Sequence, residues 1–251
     1  MSKIALITGG SRGLGKSMAL QLADKGCDIV FTYCTRKDEA EKVVREIAAK
    51  GRKAVALQLD LEQPETLDAF AATMKSSLQD NWQNSHFDYL VNNAGMGVYA
   101  SIAATTPAQF DALMNVHLKA PFFLTQKIMP LINDGGHIIN ISSGLARFSY
   151  PNYAAYAMMK GGMEVFTRYL AQELAPRKIA VNTIAPGAIE TDFGGGLVRD
   201  NKDLNKMLAS QTALGRVGLP DDIGSTVATL LTQENGWING QRIEVAGGVH
   251  L

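Results

Sequence analysis

Tyr156 and Lys160 lie four residues apart in AAYAMMKGG (154–162), a stretch otherwise small or apolar. In a helix this spacing stacks a phenol and an ammonium one turn apart, about 6 Å along the axis. A phenol titrates near ~10, too high for acid–base work at neutral pH, and a neighbouring ammonium favours its ionised form. The pair therefore reads as a proton-transfer site. Ser142 and Ser143 sit fourteen and thirteen residues upstream, directly after an apolar run. A serine hydroxyl there can hydrogen-bond a substrate oxygen. Y-x-x-x-K by itself also arises on solvated helix faces, so its meaning rests on what else the chain supplies.

A second reactive element stands at the start of the chain. An apolar run leads into TGGSRGLG (8–15), and a helical pattern follows. Gly9, Gly13 and Gly15 permit a tight turn and a close backbone approach to a ligand. The helix start behind them offers free N–H groups to a phosphate. The spacing G-x-x-x-G-x-G matches the usual dinucleotide pattern only in part. The second apolar run ends FTYCTRK (31–37), with no acid before Asp38 to take a ribose hydroxyl. Arg36 and Lys37 follow it, and Arg12 lies inside the glycine turn; cations of this kind suit a 2′-phosphate. The expected cofactor is NADP(H) in preference to NAD(H), although Arg36 and Lys37 could equally open a solvated helix.

Both stretches must be positioned by a larger frame. Short β-branched runs at 3–7, 28–33, 53–59, 87–92, 136–141, 178–184 and 241–246 predict seven strands. Most are continuously apolar, as strands buried on both faces are. Helical patterns alternate with them at 13–25, 36–50, 64–78, 107–132, 153–174 and 220–232, with a kink or break expected at Pro121. This alternation predicts an α/β fold, a doubly wound seven-stranded parallel sheet of Rossmann-like type, as one domain over 1–251. Two stretches interrupt the rhythm. Residues 76–86 read as a polar surface loop or an extended helix end. Residues 191–219, with glycines at 194–196 and apolar Leu197, Val198, Met207, Leu208 and Leu214, read as a substrate lid.

Composition excludes several classes. The chain has 251 residues, 46% of them hydrophobic, and its 24 basic and 24 acidic side chains give a formal net charge of +0. That balance argues against nucleic-acid and anionic-membrane partners. There is no run of 18 apolar residues and no signal-peptide pattern at MSKIALITGG. Two cysteines, Cys27 and Cys34, form neither a disulfide framework nor a metal cluster, so free thiols in the cytoplasm and no metal are expected.

Taken together and in order, these motifs resemble the short-chain dehydrogenase/reductase family across nearly the whole chain. They are T-G-x-x-x-G-x-G at 8–15, Asp60-Leu61, N-N-A-G at 92–95, Asn115, Ser143, Y-x-x-x-K at 156–160, P-G-x-x-x-T at 186–191 and the ending NGQRIEVAGG (239–248). SRGLG, PGAIETD and the final VAGG look most like 3-oxoacyl-carrier-protein reductase-like members. The resemblance implies a role for each matching position. Gly9, Ser11, Arg12, Gly13, Leu14 and Gly15 would face the pyrophosphate and adenosine. Asp60 would bind the adenine amino group beside Leu61, and Asn93, Ala94 and Gly95 would pass under the ribose. Pro186, Gly187, Ile189 and Thr191 would hold the nicotinamide side.

For the chemistry, the resemblance implies that Ser143 positions a carbonyl and Tyr156 gives or takes its proton. Lys160 would bind ribose and acidify the phenol, and Asn115 would complete a proton relay through water and Lys160. A spacing of thirteen favours Ser143 over Ser142. The implied reaction is hydride transfer between nicotinamide and a small-molecule carbonyl or secondary alcohol, in a homotetramer built on 107–132, 153–174 and the last strand. The substrate pocket would draw on Met96, Val98, Leu145, Phe148, Tyr150 and Tyr153, with Arg147 either meeting an acidic substrate or facing solvent. Asn115 as a plain helix residue and Asp60 as a turn cap are the simpler readings of those two positions. A non-catalytic dinucleotide sensor, or a mutase- or dehydratase-like enzyme on the same fold, is the alternative function.

Overall fold

The computed structural model describes residues 2–232 and 237–251. Seven strands form, β1 (Ile4–Ile7), β2 (Asp28–Tyr33), β3 (Ala54–Gln58), β4 (Phe87–Asn92), β5 (Ile132–Ile141), β6 (Ala180–Pro186) and β7 (Arg242–Val245). They pair in parallel in the order β3-β2-β1-β4-β5-β6-β7. The order reverses between β1 and β4, and a sheet of this kind opens a ligand crevice at the carboxyl ends beside that point. Alternation within the buried strands splits the core into two layers. Ile4 and Leu6 of β1 face the helices α3 (Leu67–Trp82), α5 (Ala120–Ile128) and α6 (Ala154–Leu174). Ala5 and Ile7 face α1 (Gly13–Asp24), α2 (Lys37–Ala49) and α7 (Pro220–Thr232). Both faces are thus covered, which explains why the strands read as continuous apolar runs.

Two boundaries differ from the sequence expectation. The stretch 107–132 is not one helix kinked at Pro121. It comprises α4 (Pro107–Met114), a π turn over Asn115–Lys119, α5 and a 3₁₀ turn at Met129–Leu131. The Ala120 N–H donates to Asn115 O, five residues back. Pro121 has no N–H, and its ring crowds the carbonyl of His117, so the preceding turn widens rather than the helix bending at the proline itself. β5 then starts at Ile132, four residues before the expected strand, and pairs there with Phe87.

The polar stretch 76–86 is mostly helix. α3 runs to Trp82 and ends on Gln83 in the left-handed region (φ 52°). Trp82 has a purpose there, because its Nε1–H donates to Asp28 Oδ2 at 2.9 Å. Asp28 is buried at the start of β2 and also accepts from the Arg52 guanidinium, the Lys53 N–H and the Ser2 hydroxyl. Burial pushes the Asp28 carboxyl upward, but the hydrogen bonds outweigh it and leave the group below its usual value. Cys27 is buried and Cys34 exposed, both as free thiols. Among the described residues, no helix is long and apolar enough to cross a membrane.

The Trp82 bond clips α3 to the sheet far from Tyr156. Trp82→Phe removes one donor from a buried carboxylate and is expected to cost about 1.5–3 kcal/mol in urea unfolding at pH 7. An unchanged unfolding midpoint would show that the clip carries no stability.

Candidate active site

The glycine turn is shaped by what crowds it. Gly9 has φ 68°, and a Cβ there would come within 2.9 Å of Ala94 Cα. A Cβ at Gly15 would lie 2.1 Å from Gly9 O and 2.6 Å from Asn93 Nδ2. The turn is braced from β4. The Asn93 side chain donates to Thr8 O (2.9 Å) and Gly9 O (3.2 Å), while Thr8 Oγ1 accepts from the Asn93 and Ala94 N–H groups. Asn93 therefore holds the turn with its side chain. α1 begins at Gly13 with Arg12 as its N-cap residue and no side-chain cap, which leaves N–H groups for an anion. Thr191 packs over this start, 3.7 Å from where a Gly13 Cβ would be. Arg12 reaches Asp192 at 3.8 Å. The Asp192 carboxyl is held below its usual range, chiefly by its hydrogen bond from Arg199, with Arg12 and Arg36 adding to the effect. Two cations thus converge beside the turn. A cradle that a single methyl group would fill and an uncapped helix start fit the phosphates of a dinucleotide.

Across the crevice, β5 delivers both serines but only one to the site. The Ser142 hydroxyl is buried and donates to Glu164 Oε1 at 2.7 Å. Ser143 has extended backbone (φ −159°) and its Oγ accepts from Leu145 N–H at 3.2 Å. Ser143 lies close enough to the Tyr156 phenol to oppose in part the rise that burial causes. The structure thereby separates the two candidates. Tyr156 and Lys160 lie on the buried face of α6, 8% and 4% exposed. The Lys160 ammonium donates to Ile141 O at 2.7 Å and sits 5.6 Å from the Tyr156 ring centre. Burial raises the phenol well above its usual value, and Ser143 opposes this in part. The same burial takes Lys160 from 10.5 down to about 7. In the chain alone, burial and not the neighbouring ammonium sets the direction of the phenol's shift.

Other sequence candidates are placed differently. The Asn115 side chain donates to Glu62 O at 3.4 Å, in the loop after β3. Positions two apart on a helix lie on opposite sides, so the Asn115 and His117 side chains diverge. His117 takes the inner place instead, its ring edge-on to Tyr156 with centroids 5.1 Å apart at 88°. The signal available in the sequence was the apolar setting of N-V-H-L, which favours an inward histidine as readily as an inward asparagine. Asp60 accepts from the Glu62 N–H and the Gln63 side chain, as a turn cap does. Leu61 is buried in the core next to it. Arg147 is engaged by Glu244 at 3.0 Å and by the carbonyls of Val249 and His250. Ile189 bridges to Gly218, and Gly187 packs on Ala246 at the end of β6 after Pro186.

In the segment 191–219, three of the five residues expected to cover apolar surface, Leu197, Met207 and Leu214, are exposed, while Val198 and Leu208 are half-buried. The contact with the site comes from Phe193, which no sequence motif marks. Its ring centre is 5.8 Å from that of Tyr156, and it packs against Gly97. It is followed by Gly194, Gly195 and Gly196, all at positive φ. A cleft of about 410 Å³ lies elsewhere, between α2 and the edge strand β3, and does not include Tyr156. Among the described residues, no group of three His, Cys, Asp or Glu side chains is placed to hold a metal ion.

Fold and site together define a dinucleotide-type α/β domain with a Ser-Tyr-Lys constellation at the crevice. The family model described as enoyl-(acyl carrier protein) reductase matches residues 9–250. Hydroxynaphthalene reductase-like protein Arp2 of Metarhizium brunneum is 36% identical over 258 residues, covering 98% of this chain and 94% of the relative. Tetrahydroxynaphthalene reductase PfmaG of Pestalotiopsis fici is likewise 36% identical, over 98% of this chain and 91% of its own length. Among solved structures, the promiscuous reductase LugOII, which catalyses keto-reduction at C1 in lugdunomycin biosynthesis, superposes with a TM-score of 0.94. It has 36% identity over 99% of this chain and 98% of its own. The angucycline C-6 ketoreductase LanV with bound NADP gives a TM-score of 0.93 and 34% identity, over 98% and 95% of the two chains. The chain belongs to the short-chain dehydrogenase/reductase family, a family of oxidoreductases.

The depressed Lys160 makes stability depend on pH. Between about pH 7 and 10.5 the unfolded chain holds a proton on this amine that the folded chain has released. Wild-type stability therefore rises with pH across that window. Lys160→Met lacks this gain, so its melting temperature relative to wild type is highest near pH 7 and falls toward pH 10, by ~2–4 kcal/mol equivalent at most. Parallel melting curves for the two proteins over that range, without nucleotide, would contradict the assignment.

Proposed function

We propose that the protein is an NADP(H)-dependent carbonyl reductase in which Tyr156 is the general acid. The observation that carries this reading is the meeting of Ser143, Tyr156 and Lys160 at the carboxyl end of β5, across the crevice from the glycine cradle. A bound nicotinamide would supply the hydride to the carbonyl carbon. Ser143 Oγ would donate a hydrogen bond to the substrate oxygen, and Tyr156 would transfer its proton to that oxygen as it gains charge. Burial suits Tyr156 to this direction, since a phenol raised above its usual value stays protonated until a stronger base forms beside it. Lys160, with N–H groups to spare beyond its bond to Ile141 O, would hold ribose and return a proton to the phenolate.

The preference for NADP(H) rests on Arg12 and Arg36 near Asp192 and on the absence of an acid at the end of β2. The substrate class suggested by the relatives is fused-ring aryl ketones, which the aromatic surroundings of Tyr99, Tyr153 and Phe193 suit. Residues 191–219 would act as the lid, with Phe193 as its contact over Tyr156. Assembly as a homotetramer is supported by the exposed apolar residues Phe122 and Phe123 of α5 and Met158, Val165 and Tyr169 of α6, and light scattering reads it directly. Tyr169 is exposed and Leu170 buried, so the two residues part company between surface and core. A cytoplasmic setting follows the same reading, and fractionation tests it.

Following NADPH absorbance with 1-tetralone and larger bicyclic and tricyclic aryl ketones tests the reaction. Tyr156→Phe is expected to lower kcat by about 10²–10⁴-fold with cofactor affinity nearly intact. Wild-type turnover in that variant, with any carbonyl of the panel, would end the general-acid assignment. Arg36→Glu is expected to shift the NADPH-over-NADH ratio of kcat/KM by about 10–100-fold toward NADH, because it removes one charge-assisted hydrogen bond to the phosphate and adds a repulsion. An unchanged ratio would remove Arg36 from the phosphate site.

A further inference from the structure

Ser142 and Arg147 take no part in the reaction above, yet charged side chains of α6 and β7 grip both. Ser143 lies between them. The ladder from β5 to β6 ends with the Ser142 N–H on Ile184 O at 2.7 Å. Ser143 stands one residue beyond that ladder. Its carbonyl accepts from the Ala146 N–H at 3.1 Å, within its own 3₁₀ turn, and from Arg242 Nη2 at 3.3 Å. The Arg242 bond thus ties Ser143 to a distant part of the chain.

Arg242 holds three acceptors at once. Its Nε donates to Glu164 Oε1 at 2.7 Å, its Nη2 to Ser143 O, and its Nη1 to Glu244 Oε2 at 3.3 Å. They belong to α6, to the end of β5 and to β7. A planar guanidinium fixes the directions of its donors, so anchoring two of them sets the third. Glu164 is itself fixed. It lies one turn beyond Lys160 on the stripe of α6 that carries Tyr156, and it accepts from the Ser142 hydroxyl at 2.7 Å. The Arg242 and Glu164 side chains are only 22% and 15% exposed, so water and salt screen this pair less than a surface one. Glu244 continues to Arg147, whose Nε lies 3.0 Å from Oε2. The turn Gly144–Ala146 is therefore clasped by β7 at both ends, through Arg242 at Ser143 and through Glu244 at Arg147.

Resting on the carbonyl-reductase reading, we propose that Arg242 is a positioning residue: anchored on Glu164, its guanidinium holds the Ser143 carbonyl and thereby aims the Ser143 hydroxyl at the substrate oxygen beside Tyr156. It acts through Ser143 and takes no part in bond making. Glu164 and Tyr156 share α6, so the fork refers the serine to the helix that bears the proton donor. A substrate oxygen must meet both hydroxyls together, and a misplacement of about 1 Å costs up to about 100-fold in rate.

Two measurements decide the matter. The first needs no turnover. Hydrogen exchange of the full chain, read by mass spectrometry, follows the amides of residues 144–148. Arg242→Met and Arg242→Lys are both expected to speed exchange there by about tenfold, with α1 and β6 unchanged. Lysine keeps the charge but not the planar fork, so it does not rescue. Unchanged exchange at 144–148 overturns the proposal, and so does faster exchange in α1 and β6 as well, which a general loss of stability would give. The second is kcat with NADPH and the best ketone of the panel, for the Arg242 variants, Ser143→Ala and the double variant Ser143→Ala/Arg242→Met. Each Arg242 variant is expected to lose about 5–30-fold in kcat, with KM for NADPH within about twofold. Because Arg242 acts through Ser143, the double variant should stay within about threefold of Ser143→Ala alone. Losses that multiply, or wild-type kcat in Arg242→Lys, overturn the proposal. Should Arg242→Met not fold, Arg242→Lys replaces it in both measurements, alone and combined with Ser143→Ala. Full turnover in Ser143→Ala is a different result: it strikes the role of that serine in the carbonyl-reductase reading, and the positioning falls with it. A loss in Ser143→Ala that multiplies with the Arg242 loss strikes the positioning alone.

Discussion

A lysine ammonium with almost no water around it governs this site. Lys160 is 4% exposed and its one hydrogen bond goes to the carbonyl of Ile141, the last residue of β5. Burying a charge costs far more than one such bond returns, so the amine sits near neutrality and its proton is held loosely. The phenol one turn away feels the same desolvation in the opposite sense and holds its proton more firmly. A group that releases a proton easily beside one that keeps it is an arrangement suited to resupply. Both states follow from packing on the buried face of α6, not from a specific ion pair.

That packing depends on the sheet. α6 crosses β5 and β6 so that Tyr156 and Lys160 meet the end of β5, while Thr167 reaches Asn140 and Thr183 through hydrogen bonds deeper in the same interface. Asn92 joins this buried polar group from β4, donating to Asn140 Oδ1 and Thr125 Oγ1. A polar seam of this kind resists sliding, because a shifted helix would strand several buried donors at once. The glycine turn is tied into the frame from the other side by Thr8, Thr32 and Asn93. The two halves of the crevice are therefore held by separate sets of hydrogen bonds that share one sheet.

The π turn is the local irregularity that sets the inner wall of the site. A regular helix through 107–128 would place position 117 at a different angle; the extra residue in the turn, required ahead of Pro121, carries His117 under the loop after β4. Met96 meets it with both its backbone groups, and Gly95 leaves the necessary space. Opposite, Phe193 lies against both Tyr156 and Gly97 from a segment whose three glycines adopt left-handed backbone. One wall is thus fixed by a proline four residues beyond His117, and the other is borne on backbone with few steric restraints.

Much of this architecture is written in local patterns. Short apolar, β-branched runs marked all seven strands, most of them continuous because both faces of the sheet are covered, while the edge strand β7 alternates Arg242 and Glu244 with Ile243 and Val245. The glycine turn and the Tyr156–Lys160 spacing were equally legible, since each depends on residues close in the chain. Local pattern could not say which of Ser142 and Ser143 faces the phenol; the backbone at the end of β5 turns Ser142 toward Glu164. Nor could it tell that Asn115 leaves the site for Glu62 O while His117 enters it, because a π turn shifts every later side chain by a fraction of a turn. Arg147 was ambiguous until the C-terminal strand and tail came to meet it. Residue type and spacing decide what a segment is, whereas the direction of each side chain and the water left around it depend on segments distant in sequence, and those directions and that desolvation set the proton affinities at this site.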